Sequence, residues 1–239
     1  MMDDDTATGT GGFGEILVSS RSLGEYQAMF ALTEDDLGRR ILDCPSGAAG
    51  FVAELSRRGG DVTASDVAYF DNGVERVAAT AVDEADRGNN YVREHADAYR
   101  WTFFTDPDEH RRARRRSAQH FADHVRTSPQ SYIPARLPTL PFADNTFDLV
   151  LSSHLLFSYA DDLDLTFHRQ AIIELMRVAA TEVRLFPLVP IGSTARYPQL
   201  ADLLTDLSLS GIESRIVEVE YEFQAQANEM LVCTRTADG

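Results

Sequence analysis

The sequence predicts an α/β domain whose doubly wound sheet is mostly parallel, ends in an antiparallel hairpin and carries a helical insertion. Three observations lead there. Short apolar runs alternate with helix-period stretches along most of the chain. Two of these runs flank a small-residue loop and a single helix between residues 41 and 66. The last two runs are separated by only a few residues.

Leu23, Tyr26, Met29 and Phe30 recur at helical spacing, which predicts one helix from Ser22 to Leu37. "RRILDC" then switches to a buried strand closed by Pro and Gly. "FVAELSRRGG" predicts a helix with a glycine stop, and "DVTASDV" a second strand ending on Asp66. With so few residues between them, these pieces form a βαβ unit with parallel strands. A further strand is expected at "TFDLVLSSHLLF", then a helix from about Asp164 to Ala179 with Phe167, Ala171, Leu175 and Val178 on one face, then a strand at "EVRLFPL". After another helix near 197–208, "SRIVEVEYEF" and "NEMLVCTR" are linked by "QAQA"; a link that short makes the pair antiparallel.

About seventy residues separate Asp66 from "LPTLPF", far more than one helix and one strand require. The expectation is a helical lid over about 85–136, inserted into a single domain that spans 1–239. Its "HFADHV" stretch puts Ala118, Phe121, Ala122 and Val125 on one face, and Pro129 stops the helix. Attachment directly after Asp66 would set this lid over the carboxyl ends of the strands.

Composition bounds the function. A chain of 239 residues with 44% hydrophobic content can fill one sizeable core. Acidic residues number 38 against 22 basic ones, all of them Arg, for a net charge of -16. That balance suits a salt-adapted or GC-rich source and weighs against nonspecific nucleic-acid binding. Cys44 and Cys233, each among apolar residues, support neither a disulfide nor a cysteine metal site, and no metal is expected. The acidic start "MMDDDTATGTGG" lacks signal-peptide features, and no run reaches the ~20 apolar residues of a membrane span. A cytoplasmic protein with a frayed start and no membrane contact is expected.

The loop "ILDCPSGAAGF" places Pro45, Gly47 and Ala49 where a dinucleotide-binding loop carries its three glycines. Pro45 removes an N–H donor, which is a poor choice for a pyrophosphate, while the small side chains after it still let a ligand approach the backbone. A nucleoside without a diphosphate is the predicted ligand. Asp66, 23 residues after Asp43, stands where a carboxylate can accept from both ribose hydroxyls, although capping the next helix is an alternative role. Asp43 either stabilises the loop or attracts a ligand ammonium.

Taken in order, "ILDCPSGAAGF", Asp66, "LPFADNTFDLVLSSHLLF" and the terminal hairpin resemble a class I S-adenosylmethionine-dependent methyltransferase, over nearly the whole chain. The resemblance implies a Rossmann-like fold and S-adenosyl-L-methionine as cofactor. Asp43, Ser46, Gly47 and Ala49 would then hold its methionine part, Asp66 the ribose, Leu140 with its neighbours the adenine, and Ser153 would complete the cofactor site. Arg136 and Pro45 depart from the family pattern.

Methyl transfer needs alignment and, for some acceptors, a base. His154 and Tyr159, after the "FDLVLSS" strand, lie where such groups belong, although a histidine in "SSHLLF" also suits a core; His168 reads as a surface or capping residue. In the basic run "HRRARRR", Arg114 falls on the apolar stripe, which implies an anionic partner, while Arg112 and Arg116 face water. With Trp101, Phe103 and Phe104 nearby, Arg114 could form a cationic, aromatic wall for an acidic small-molecule substrate. The alternatives are a noncatalytic S-adenosylmethionine-binding module and a nicotinamide-dependent oxidoreductase, the second disfavoured by the loop.

Overall fold

The computed structural model describes residues 18–71 and 73–236, so the expected frayed start lies outside the described residues. The first helix, α1 (Leu23–Phe30), is capped reciprocally by Ser22 and Glu25. Ala31 then adopts a left-handed φ of 47°, and Thr33 with Asp36 caps a second short helix, α2 (Glu34–Leu37). The single helix expected over this stretch is therefore two, because Thr33 and Asp36 repeat the capping pattern in mid-segment.

Strand β1 (Ile41–Asp43), helix α3 (Phe51–Arg57) and strand β2 (Val62–Asp66) form the βαβ unit, with both strands parallel. Helices α4 (Gly73–Glu94) and α5 (Pro107–Thr127) follow, then β3 (Tyr132–Pro134), β4 (Phe147–Ser153), α6 (Leu165–Val178) and β5 (Ala179–Phe186). Helix α7 (Leu200–Leu209) leads to β6 (Ile212–Glu218) and β7 (Glu229–Arg235). The seven strands lie in the order β3-β2-β1-β4-β5-β7-β6. The first five are parallel, and β7 is antiparallel to both β5 and β6, as the hairpin requires.

After β1 the chain goes to one side of the sheet and after β4 to the other, so their carboxyl ends frame a crevice. Two apolar layers cover the sheet. One joins Met29, Phe30, Phe51, Ala81, Ala118 and Phe121 on the α1–α3–α4–α5 side. The other joins Ile172, Leu175, Leu203 and Leu207 on the α6–α7 side. His168 belongs to this second layer and not to the surface: it is fully buried, and its two ring nitrogens lie 2.8 and 2.9 Å from the carbonyls of Asp164 and Leu156. Cys44 and Cys233 are buried free thiols, each pushed up to about 12 by burial.

In the inserted segment the helices span 73–127, so position 85 falls inside α4, and the strand β3 lies within 85–136. Asp106 caps α5 and Pro107 fills its first turn. Helix α5 packs against α3, where Gly50 donates its N–H to Ser117 Oγ at 3.0 Å; a Cβ at Gly50 would come within 2.5 Å of that oxygen. The connection 95–106, with His110 of α5, meets the β6–β7 connection. There Arg100 N–H donates to Phe223 O at 2.7 Å and Ala225 N–H to Ala98 O at 3.0 Å.

Candidate active site

Two cavities meet at the carboxyl ends of β1, β2 and β4. The larger, about 310 Å³, is bounded by the loop after β1, by Asp66 and Val67 after β2, and by Ala135, Arg136 and Leu137 after β3. Loop geometry follows from Gly47, whose φ of +57° suits glycine; a Cβ there would come within 3.3 Å of Ser19 O, so the segment before α1 lies directly on the loop. The same segment accepts the Ala48 N–H at Ser19 O. Ser46 Oγ, at the cavity wall, has no hydrogen-bond partner among the described residues.

Asp66 takes the capping role and stands in the cavity wall. Its two oxygens accept from Gly47 N–H and Ala68 N–H, each at 2.8 Å, so it caps the 3-10 turn at Val67–Tyr69 and ties that turn to the loop. It also lines the cavity, and each carboxylate oxygen keeps a second lone pair for a hydroxyl donor. Burial pushes its carboxyl up against those two backbone hydrogen bonds.

Three expected cofactor contacts are displaced. Asp43 is completely buried behind the loop and outside the cavity lining, with both oxygens 3.0 Å from Tyr26 Oη. Burial pushes its carboxyl up to about 7, more than the neighbouring Ser46 and Tyr26 hydroxyls lower it. Ala49 is buried at the turn into α3, and Leu140 is buried with its N–H donated to Glu174 at 2.6 Å. Ala135, Arg136 and Leu137 take the wall position expected of Leu140, because the chain enters the cavity edge directly from β3. Ser46, Gly47 and Ser153 do line the cavity.

The smaller cavity, about 110 Å³, lies between α4, α5, the β6–β7 connection and the residues after β4 and β5. Tyr99, Tyr159, Phe186, Tyr221 and Phe223 supply its rings. Trp101 is displaced from the expected wall: it packs edge-on against Phe223 at 5.6 Å, and Phe223 with Tyr99 lines the cavity in its place. Arg114 does reach this cavity, and Arg112 and Arg116 are exposed. Its anionic partner, however, is Glu25 of the same chain, at 2.6 Å, and it also donates to Ser20 O and His110 Nε2. Tyr221 Oη donates to the other Glu25 oxygen at 3.0 Å. Arg114 therefore arrives already neutralised, as a buried guanidinium must be.

Ser19, Arg21 and His154 border both cavities. His154 has a left-handed φ of 52°, which costs a non-glycine residue about 1–3 kcal/mol and is maintained by its N–H bond to Phe186 O at 2.7 Å. Its Nδ1 is 2.8 Å from Ser153 Oγ. Burial, then Arg21 and Arg114, hold the imidazole well below the usual histidine range, so it is neutral. Arg21, Tyr26, Tyr99 and Phe223 went unrecognised in the sequence. Tyr26 carried a signal, as the polar member of the α1 apolar face, and the capping pair Ser22–Glu25 marked the segment that delivers Arg21. The other two come from loops whose spacing carries no period.

The described residues contain no helix long and apolar enough to cross a membrane. Residues 88–186 match a family model described as a methyltransferase domain, a stretch that includes β3, β4 and β5 but neither the loop after β1 nor Asp66. The chain is 29% identical over 222 residues to an uncharacterized protein of Methanocaldococcus jannaschii, covering 92% of this chain and 97% of that one. Among solved structures it resembles a magnesium protoporphyrin IX methyltransferase from Synechocystis PCC 6803 with bound S-adenosylhomocysteine, at 16% identity and a TM-score of 0.50, covering 90% of this chain and 82% of that one. A SAM-dependent methyltransferase from Aquifex aeolicus aligns at 15% identity and a TM-score of 0.44, over 89% and 88% of the two chains.

Proposed function

We propose that this chain is a class I S-adenosylmethionine-dependent methyltransferase that holds its cofactor in the larger cavity and methylates a small, negatively charged molecule in the smaller one. The observation that carries this reading is the shared border: Ser19, Arg21 and His154 belong to both cavities, so a group held in one faces a group held in the other. The larger cavity fits a nucleoside cofactor that lacks phosphate. Gly47 lets a ligand approach the backbone, Asp66 keeps acceptor capacity for hydroxyls, Ser46 adds a side-chain hydroxyl to the wall, and Pro45 offers no N–H to a diphosphate. When bound, S-adenosylmethionine supplies a methyl group activated on a sulfonium.

The residues themselves supply position and exclusion of water. Rings of Tyr99, Tyr221 and Phe223 close the smaller cavity, which orders an acceptor and strengthens polar contacts inside. A neutral His154 can accept a hydrogen bond from an acceptor N–H or O–H. Its depressed basicity makes alignment, more than proton removal, its contribution. Tyr159 flanks it in the same wall.

The test incubates the pure protein with methyl-labelled S-adenosylmethionine and the small-molecule fraction of a cell extract. Label is expected in an anionic product that anion exchange retains. Cofactor binding without incorporation supports the noncatalytic module instead, and label confined to neutral or cationic products that release no methanol in base, and so are not methyl esters, removes the anionic acceptor.

A further inference from the structure

Arg21 is the cation of this site that the described residues leave without a carboxylate. Its backbone is clamped from three sides: Ser19 O accepts from Ala48 N–H, Ser20 O from Arg114, and Arg21 O from Phe51 N–H at the start of α3. The guanidinium therefore emerges at a fixed point, the border of the two cavities. Its one hydrogen bond among the described residues goes to Ser19 Oγ, and its Nε is buried without a partner. No carboxylate among the described residues lies within ion-pair distance of it, in a chain with 38 acidic residues to 22 basic ones. The nearby Glu25 is spent on Arg114 and Tyr221, and Glu84, which also borders the smaller cavity, is paired with Arg87 at 2.7 Å. Among the described residues at the smaller cavity, two guanidiniums, Arg21 and Arg114, thus have one carboxylate between them, Glu25, which leaves an excess of positive charge in a partly desolvated space. The same charges, after burial itself, push His110 down to about 2.

Buried guanidiniums are paired as a rule, and the planar fork of Arg matches a carboxylate through two parallel N–H bonds. The space beside it is small and ring-lined: about 110 Å³, where an engineered apolar cavity of ~150 Å³ takes one benzene ring. We infer that Arg21 is a carboxylate receptor, and that the acceptor is a monocarboxylate with an apolar body no larger than about one aromatic ring. This rests on the reading of the smaller cavity as the acceptor site. The carboxylate could instead belong to the methionine end of the cofactor, since Arg21 also borders the larger cavity, and the experiment separates the two.

The probes are phenylacetate and its neutral counterpart phenylacetamide, titrated calorimetrically into the ligand-free protein and into protein saturated with S-adenosylhomocysteine. Wild type is expected to prefer phenylacetate by about tenfold or more, the effect of one charge-assisted pair. Arg21→Gln should abolish the preference, Arg21→Lys should keep part of it, and both should bind S-adenosylhomocysteine as wild type does. Equal binding of the two probes by wild type, or a preference that survives in Arg21→Gln, overturns the inference. So does a loss of S-adenosylhomocysteine affinity in Arg21→Gln with affinity for methylthioadenosine retained, because Arg21 then serves the cofactor's own carboxylate. Failure of wild type to bind S-adenosylhomocysteine overturns the cofactor reading alone, since the probe preference is read on the ligand-free protein too.

Discussion

Asp43 shows how far a residue type can be read without its surroundings. A carboxylate at the end of the first strand was legible as important, but which way it faces depends on Tyr26, seventeen positions earlier and brought to it by packing of α1 on α3. Its carboxyl titrates at about 7 when folded and near 3.8 when exposed, so the folded state holds this proton more tightly. The corresponding stability is complete below pH 4 and is lost as pH rises toward 7, by a few kcal/mol. Asp43→Asn should therefore flatten the fall in melting temperature between pH 4 and 7 and leave the variant the more stable of the two at pH 8. An identical pH profile in wild type and variant would show that Asp43 ionises without penalty. Arg114 makes the same point from the other side. Its place on the apolar stripe was readable from i+4 and i+7 spacing, yet the identity of its partner, Glu25, was not, because a contact across 89 positions leaves no local pattern.

At the scale of elements, strands β1, β2, β4 and β5 were legible because each is a short apolar run bounded by turn residues, whereas β3, Tyr132–Pro134, ends in a proline and shows no such run. The inserted helices were legible as helices, but the contact that matters was not: the loop between them meets the β6–β7 connection. Phe223 anchors that meeting. It stacks on Tyr99 at 4.7 Å and on His110 at 4.8 Å and meets Phe104 edge-on at 5.4 Å. Truncating such a buried ring costs about 3–5 kcal/mol. Phe223→Ala should lower global stability by that order and speed amide exchange of 95–106 and 219–228 together, since the two connections share their hydrogen bonds. Faster exchange in one of them alone would show that they open independently and do not act as one clasp over the smaller cavity.

For the whole molecule, the sheet order puts the reversal of winding between β1 and β4, and the two cavities open where those strands end. Fold and cofactor class were readable from the order of weak motifs. The smaller cavity was not, because it is assembled from the segment before α1, both insertion helices, the residues after β4 and β5 and the last connection, none adjacent in sequence. The central claim is that the larger cavity takes a phosphate-free nucleoside cofactor through Asp66. Calorimetric titration with S-adenosylhomocysteine, on wild type and on Asp66→Asn, tests it most directly. One saturable site is expected in wild type. Affinity should fall tenfold or more in the variant, as loss of a charged hydrogen bond of ~1.5–3 kcal/mol requires. No binding of S-adenosylhomocysteine by folded wild-type protein, tighter binding of NAD, or an unchanged dissociation constant in a folded Asp66→Asn variant would contradict it.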